Sequence, residues 1–259
     1  MELRILAVGD VTEPRAAAYL AEVLWNVRRE NKIDFVIVNA ENAGFIIGPD
    51  PDVAEGLLAG GADVLTGGNH TLQKKTLHAL LERSDKLLRP ANYPGSVPGM
   101  GYTILPAAGY RILVMNALGR MEMDPIDCPF RAVDAILARE EGNYDLAVLD
   151  FHAEASGEKL AMGHYLDGRV QVVFGTHTHV PTADEQILPH GTGYITDVGM
   201  CGASAGILGI DPQIVLTRLV SCLPERYAPP AASPLRVDGC IFAVDTESRR
   251  TVRVERIRF

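Results

Sequence analysis

Short runs of apolar residues recur along this chain of 259 residues, and segments with helix signals separate many of them. In the run at residues 34–39, Asp-Phe-Val-Ile-Val-Asn, four aromatic or β-branched residues follow one another. Continuous apolar character of this length is typical of parallel strands that are covered on both faces. The pattern predicts an α/β fold with strands at residues 3–9, 34–39, 62–66, 112–116, 146–150, 170–174, 192–199, 239–244 and 251–257.

The clearest helix signals lie at residues 12–30. Thr12 is a candidate N-cap, Pro14 lies near the start, and apolar residues such as Leu20 and Leu24 recur at helical spacing. Neither an internal repeat nor a change in composition divides the chain, so we predict a single domain that spans residues 1–259. Further helices are predicted at residues 52–58, 74–83, 130–140 and 158–166.

The composition is that of an ordinary globular protein, with 47% hydrophobic and 22% charged residues. The net charge of −9 argues against binding duplex nucleic acid through a broad basic face. No apolar segment approaches the roughly 18 residues that a membrane span needs. The chain also begins with a strand pattern rather than a signal peptide. We therefore expect a cytoplasmic protein with neither duplex nucleic acid nor membrane as a partner.

Four cysteines are scattered along the chain without a C-x-x-C spacing. This arrangement indicates neither a zinc knuckle nor a disulfide framework. The sequence therefore predicts free thiols, as in a reducing compartment, at Cys128, Cys201, Cys222 and Cys240.

Oxygen and imidazole donors follow the carboxyl ends of the predicted strands. His177 and His179 lie in the motif Gly-Thr-His-Thr-His, directly after the strand at 170–174. Because such strand ends converge on one edge of an α/β sheet, the donors are expected to lie close together. Each also has a structural explanation as a turn former, a helix-start acceptor or a satisfied histidine. The other donors at strand ends are Asp10, Glu41, Asn42, Asn69, His70 and His152.

This set contains more donors than one tetrahedral zinc site can use. It suits two metal ions that share a bridging carboxylate at a separation of roughly 3.5–4 Å. Two divalent cations would outweigh the charges of Asp10 and Glu41, so the site would attract hydroxide and phosphate. Metal pairs lower the pKa of a bridging water and hold phosphoryl oxygens during in-line attack. The residues therefore point to attack of a metal-bound hydroxide on a phosphate ester.

The ordered motifs Gly9-Asp10, Gly68-Asn69-His70 and 175–179, with His152 between the last two, resemble the calcineurin-like metallophosphoesterases. Nearly the whole chain is similar to the bacterial YmdB branch of that superfamily. The segments that carry this similarity are residues 39–42, 89–92, 150–154, 175–180, 182–185 and 195–200.

The resemblance implies a four-layer α/β/β/α sandwich of the metallophosphoesterase type. It also implies two metal sites bridged by Glu41, and it gives His70 the role of the acid that protonates the leaving alkoxide. The implied reaction is phosphodiester hydrolysis of small cyclic nucleotides, such as 2′,3′-cyclic AMP, with 3′,5′-cyclic nucleotides as further candidates. The implied ligand sets are Asp10, Glu41, Asn42 and His179 for one metal, and Glu41, Asn69, His152 and His177 for the other.

The chain departs from the wider superfamily at the first metal. The common Asp-x-His start is Asp10-Val11-Thr12 here, so Asn42 replaces a histidine, and Glu41 replaces the usual bridging aspartate. Fewer nitrogen ligands favour iron or manganese, while zinc and magnesium remain open.

Two other functions stay open: a phosphomonoesterase or ribonuclease on the same fold, and a regulatory protein that binds a nucleotide or RNA with low turnover. Arg89, Arg120 and Arg131 are candidate phosphate contacts, although each could equally form a surface ion pair. The sequence is also compatible with a homo-oligomer.

Overall fold

The computed structural model describes residues 1–259, which form two β-sheets and six α-helices. The helices are α1 (Pro14–Asn31), α2 (Pro51–Ala59), α3 (Lys75–Arg83), α4 (Pro129–Arg139), α5 (Ser156–Leu166) and α6 (Pro212–Ser221), with a 3₁₀ turn at Thr71–Gln73. The strands are β1 (Glu2–Val8), β2 (Asp10–Val11), β3 (Phe35–Asn39), β4 (Val64–Thr66), β5 (Tyr102–Ala107), β6 (Tyr110–Leu118), β7 (Leu146–His152), β8 (Val172–Thr176), β9 (Gln186–Ile187), β10 (Gly193–Ile195), β11 (Met200–Ala203), β12 (Leu235–Asp245) and β13 (Arg250–Arg258).

The first sheet has the order β2-β11-β12-β1-β3-β4, and β13 pairs with β12. Its strands β1, β3 and β4 are parallel to one another, whereas β12 is antiparallel to β1. The second sheet has the order β5-β6-β7-β8-β10-β9, and β6, β7, β8 and β10 are parallel. The parallel strands of each sheet end at one edge, where their loops can build a site.

Three apolar clusters hold the layers together. One lies between the first sheet and α1, α2 and α3, and a second lies between the other sheet and α4 and α5. The third, of 20 buried residues, lies between the two sheets and includes Phe35, Val148 and Phe174. The arrangement is a four-layer α/β/β/α sandwich, as the sequence resemblance implied.

The second sheet changes the explanation of the apolar strands. Every residue of β3 is buried, but helices cover only one face of its sheet. The other face packs against the second sheet. A strand buried by a helix and a strand buried by another sheet have the same apolar pattern, so periodicity alone did not separate them.

Two local predictions were wrong. Thr12 does not cap α1, because Glu13 occupies the N-cap and the Thr12 hydroxyl donates to the Cys201 carbonyl, in β11, at 3.2 Å. The predicted strand at 192–199 is divided: β10 ends at Ile195, and the chain turns before β11 begins at Met200.

The four cysteines are unpaired, as the sequence predicted. No helix combines the length and the hydropathy needed to cross a membrane.

Candidate metal centre

The strand ends of both sheets bring all seven predicted metal ligands to one edge of the molecule. Asp10 follows β1, Glu41 follows β3, and His152 is the last residue of β7. These three side chains are fully buried, with relative exposures of 0–1%. Buried charged and polar groups require hydrogen bonds, an opposite charge or a metal ion. Each of these three side chains therefore needs such a partner within the cluster. The other four ligands are Asn42, Asn69, His177 and His179.

The tightest group surrounds Nε2 of His152. This atom lies 3.1 Å from Oδ1 of Asn69, 3.1 Å from Nδ1 of His177 and 3.5 Å from Oε1 of Glu41. Ligand atoms about 2.1 Å from a common ion and roughly 90–110° apart are themselves roughly 3.0–3.4 Å apart. The spacing therefore fits the ligand set implied for the second metal.

The donors implied for the first metal lie beside this group and are spaced more widely. Oδ1 of Asp10 is buried without a hydrogen-bond partner, 3.9 Å from Nε2 of His179. Asn42 turns its amide nitrogen toward this group, 3.2 Å from the same nitrogen, and donates to Oε1 of Glu41, while Oδ1, the atom that can bind a metal, faces Nδ1 of His70 at 2.8 Å. Oε1 of Glu41 therefore contacts both groups, as a bridging carboxylate would.

Each of the three histidines has one ring nitrogen held by an oxygen outside the cluster. Nδ1 of His152 lies 2.9 Å from the Thr176 hydroxyl, Nε2 of His177 lies 3.0 Å from the Glu154 carboxylate, and Nδ1 of His179 lies 3.2 Å from the backbone carbonyl of residue 208. When one nitrogen donates outward, the other keeps its lone pair for a metal ion. All three rings therefore turn one nitrogen toward the cluster.

The charges of the cluster also fit a pair of cations. Burial tends to raise the pKa of Glu41, but the neighbouring imidazoles outweigh it and hold that pKa well below its usual range. Burial tends to lower the pKa of His152, but Glu41, Asp10 and Asp150 raise it to about 9. The buried carboxylates are thus stabilised by positive charge on the groups beside them. Together with the unpaired oxygen of Asp10, this shows that the residues fit metal ions.

Gly68 allows the close packing of this cluster. A Cβ atom at this position would lie 2.3 Å from Nε2 of His152 and 2.7 Å from Oε2 of Glu41. Any larger residue would therefore displace two predicted ligands, which explains the glycine before Asn69.

A buried network beneath His152 was missed at the level of sequence. The Thr176 hydroxyl donates to Asp150 at 2.7 Å while it faces His152, and Asn39 donates to Asp150 at 3.0 Å. Burial raises the pKa of Asp150 to about 6, although the charge of His152 and the hydrogen bonds that Asp150 accepts act to lower it. The signal was a carboxylate inside an apolar strand, two residues before a predicted ligand.

The loop that carries His177 and His179 is strained and firmly anchored. Both residues have positive φ, at 101° and 63°. Asp197 accepts hydrogen bonds from the backbone amide and the hydroxyl of Thr178, which lies between them. Lys159 pairs with Asp197 at 2.8 Å, and both side chains are almost fully buried. This pair was also missed, because it joins a helix to a loop that is distant in sequence.

The cluster opens into a pocket of about 310 Å³. His70 faces this pocket, and its Nδ1 lies 2.8 Å from Oδ1 of Asn42, which can only accept. Its Nε2 makes no hydrogen bond within the protein. The backbone amide of His70 donates to Oε2 of Glu41 at 3.0 Å, so its position is tied to the cluster.

A family model described as "YmdB-like protein" matches residues 6–257, which is nearly the entire chain. The chain belongs to the YmdB-like family. A relative from Bacillus subtilis, named 2′,3′-cyclic-nucleotide 2′-phosphodiesterase, is 40% identical over 255 residues, covering 98% of this chain and 96% of the relative.

Two solved structures share the whole fold of this YmdB-like protein. A hypothetical protein from Thermus thermophilus is 38% identical, with a TM-score of 0.89 and 99% of each chain covered. A protein described as a novel phosphatase from Mycoplasma pneumoniae is 30% identical, with a TM-score of 0.92, covering 100% of this chain and 94% of that one. The family and the fold expected from the sequence motifs are thereby confirmed.

Proposed function

We propose that this YmdB-like protein is a metal-dependent phosphodiesterase that hydrolyses small cyclic nucleotides, with 2′,3′-cyclic nucleotides preferred and 3′,5′-cyclic nucleotides as further candidates. The orientation of the three histidines carries the proposal, because each ring presents one free nitrogen to the cluster. The Bacillus relative, whose name describes this activity, supports the choice of substrate.

The ligand sets of the proposal are those that the resemblance implied. Asp10, Glu41, Asn42 and His179 would hold one divalent metal, and Glu41, Asn69, His152 and His177 the other. Asn42 would use one lone pair of Oδ1 for the metal and the second for His70. Iron or manganese is favoured. When bound, the metals would stabilise charge on phosphate oxygens and lower the pKa of a water molecule.

His70 is proposed as the acid. Hydrolysis joins a water oxygen to phosphorus and breaks the bond from phosphorus to a ribose oxygen, which then needs a proton. Asn42 holds Nδ1 of His70 at 2.8 Å, so Nε2 of the imidazolium is left to supply that proton. Since His70 faces the pocket with its side chain 23% exposed, a substrate can reach it.

The pocket also has an apolar wall suited to a nucleobase. Phe45, Ile46, Leu208, Ile210 and Tyr227 line it together with the polar cluster. Phe45 and Ile46 both have positive φ, at 67° and 57°. This backbone conformation is costly for aromatic and β-branched residues, and strained residues of this kind cluster at functional sites. A volume of about 310 Å³ lies within the range of small-ligand pockets. A base could stack on this wall while its phosphate lies at the cluster.

The testing experiment is a hydrolysis panel on protein of measured metal content. The substrates are 2′,3′-cyclic AMP, 3′,5′-cyclic AMP, a nitrophenyl diester and a nitrophenyl monoester. We expect the highest kcat/KM for 2′,3′-cyclic AMP and loss of turnover after chelation, with His177→Ala as an inactive control. A higher kcat/KM for the monoester would contradict the proposal and support the phosphatase alternative, which the description of the Mycoplasma protein favours.

A further inference from the structure

A second cavity, of about 360 Å³, lies between α4 and the segment from Arg89 to Tyr102. It shares no lining residue with the pocket over the candidate metal centre. The side chains that matter for its chemistry are those of Arg89 and Arg139, with Tyr102 on the wall. None of the residues that line it is acidic.

Arg89 is buried in an unusual way. Only 6% of the residue is exposed, yet it forms no ion pair. Its Nη1 donates to the backbone carbonyls of Pro90 and Ala91, at 2.8 and 3.4 Å, while Nε is buried without a partner. Burial alone lowers the pKa of Arg89, because no carboxylate lies near enough to oppose it. A buried guanidinium without a counter-charge is costly.

The unused edge of this guanidinium has a defined chemistry. Nη1 makes both hydrogen bonds that the guanidinium of Arg89 forms within the protein, so Nε and Nη2 are left without partners. Two parallel N–H groups on one edge of a guanidinium match two oxygens of a carboxylate or phosphate. This edge is the one that binds oxyanions bidentately; Nη2 is its accessible nitrogen, whereas Nε is closed to solvent in this structure.

The surroundings favour a phosphate over a carboxylate. Arg139 adds a second positive charge to the lining, and a phosphate monoester carries close to two negative charges at neutral pH. The adjacent carboxylate, Glu140, accepts hydrogen bonds from the Tyr102 hydroxyl at 2.8 Å and from Asn143 at 3.0 Å. Glu140 is thus held by Tyr102 and Asn143, with Arg139 as its neighbouring cation, and Arg89 keeps no counter-charge.

We propose that this cavity is a second ligand site, separate from the metal centre, that binds the phosphate group of a small molecule through Arg89. Arg139 contributes at the rim. The phosphate group is the shared chemistry of two sources, free inorganic phosphate and a nucleoside monophosphate. The assignment does not depend on the catalytic activity proposed for the metal centre.

The test uses calorimetric titration of the full-length, metal-loaded protein with inorganic phosphate and with adenosine 3′-monophosphate. Ala135→Glu places a carboxylate in the cavity from an exposed position of α4, so its folding should be intact. Ala138→Glu, on the same helix but outside the cavity, is the matched control. We expect one binding event to weaken at least tenfold in Ala135→Glu and to be unchanged in Ala138→Glu.

Three further measurements separate this site from the metal centre. Phosphate should inhibit diester hydrolysis with the same inhibition constant in Ala135→Glu as in the wild type, because that competition occurs at the metals. Arg89→Lys, which keeps the charge but loses the fork, should also weaken the second event. Tungstate soaked into crystals should give anomalous density beside Arg89.

Equal affinities in the two glutamate variants, or tungstate density at the metal centre alone, would overturn the proposal. Tighter binding of the nucleotide than of phosphate would identify a nucleotide as the source. Equal binding of the two would identify the phosphate group alone as the recognised unit.

Discussion

At the candidate metal centre, the single side chain of Glu41 contacts two neighbouring groups of donors. Glu41 accepts from the His70 amide through Oε2 and contacts His152 and Asn42 through Oε1. Its burial is complete, so water cannot replace these contacts. A carboxylate in this position is expected to be shared by both proposed metals.

Glu41→Ala should therefore lower the metal content from about two equivalents to below one. Inductively coupled plasma mass spectrometry on protein purified without chelator measures this. Glu22→Ala, at an exposed position of α1, is the control and should keep the wild-type content. One tightly held metal that survives the loss of Glu41 would contradict a bridging role.

His70→Ala should keep both metals but slow turnover by about 10²–10⁴-fold on a ribose ester, as expected when an acid is removed. The loss should be smaller on a nitrophenyl diester, whose leaving group needs little protonation. Asn69→Ala should instead lower the metal content and slow both substrates together. The measurement is kcat for both substrates with metal analysis on the same samples, and an equal loss on both in His70→Ala would argue against the acid role.

At the scale of elements, the loop of His177 and His179 depends on a buried ion pair. Removing one partner of such a pair leaves the other charged and buried, which costs about 3–5 kcal/mol. Lys159→Met should therefore reduce the free energy of unfolding by about that amount, since Asp197 would keep its charge without a cation. Urea denaturation measures it, and Lys75→Met, exposed at the start of α3, should change stability little. A loss as small as that of Lys75→Met would show that the pair does not support the loop.

Asp184 anchors the connection that leads to β10, and its effect should depend on pH. Burial tends to raise the pKa of Asp184, but the hydrogen bonds from Thr182 and Thr196 outweigh it and lower that pKa. The pKa of an aspartate in the unfolded chain is about 3.9, and the pKa of Asp184 in the folded protein is lower. The resulting stabilisation is fully present above the unfolded pKa and is lost as the pH falls through the folded pKa.

Asp184→Asn should accordingly destabilise the protein at pH 7 by about 1–2 kcal/mol, and the difference should shrink below about pH 4. Thermal unfolding of both proteins between pH 3 and 7 measures this. Glu141→Gln, at an exposed position, is the control. A difference between Asp184→Asn and wild type that stays constant across this range would argue against an ionised Asp184 as the cause.

Local geometry also explains elements that sequence patterns missed or misjudged. Val252 fits the alternation of β13, but it is 51% exposed. The register of β12 and β13 shifts between Ala243 and Val244, so Val252 is the extra residue of a bulge. The strands β2, β5, β9 and β11 and the helix α6 were not predicted, and α6 buries no residue at all.

At the scale of the whole molecule, the layer between the two sheets joins them into one structure. Phe174 of the second sheet and Phe242 of the first lie in this core, with ring centroids 6.5 Å apart. Because each sheet buries one face on the other, neither can unfold without exposing the shared core. This supports the prediction of a single domain, which stays a prediction until unfolding is measured.

Phe242→Ala should reduce the free energy of unfolding by about 3–5 kcal/mol and still unfold in one transition. Fluorescence of Trp25 reports on α1 beside the first sheet, while far-ultraviolet circular dichroism reports on both sheets. Coincident urea transitions from the two probes are expected for the wild type and the variant. Transitions at different urea concentrations would instead indicate two domains.

The sequence by itself predicted most of the longer helices and strands and the donors that follow the strands, because apolar periodicity and the polar residues at strand ends are properties of contiguous segments. It also carried the motifs that led to the family, which the matches to YmdB-like proteins confirmed. Its assignment of ligands and acid remains a prediction.

Only the tertiary structure decided which face of each strand meets a helix and which meets the other sheet. It alone brought Glu154 to His177, Thr176 to His152 and Lys159 to Asp197. It also left Arg89 buried without a counter-charge. These contacts join residues from separate elements, so they depend on how the layers pack, and no local pattern in the chain encodes them.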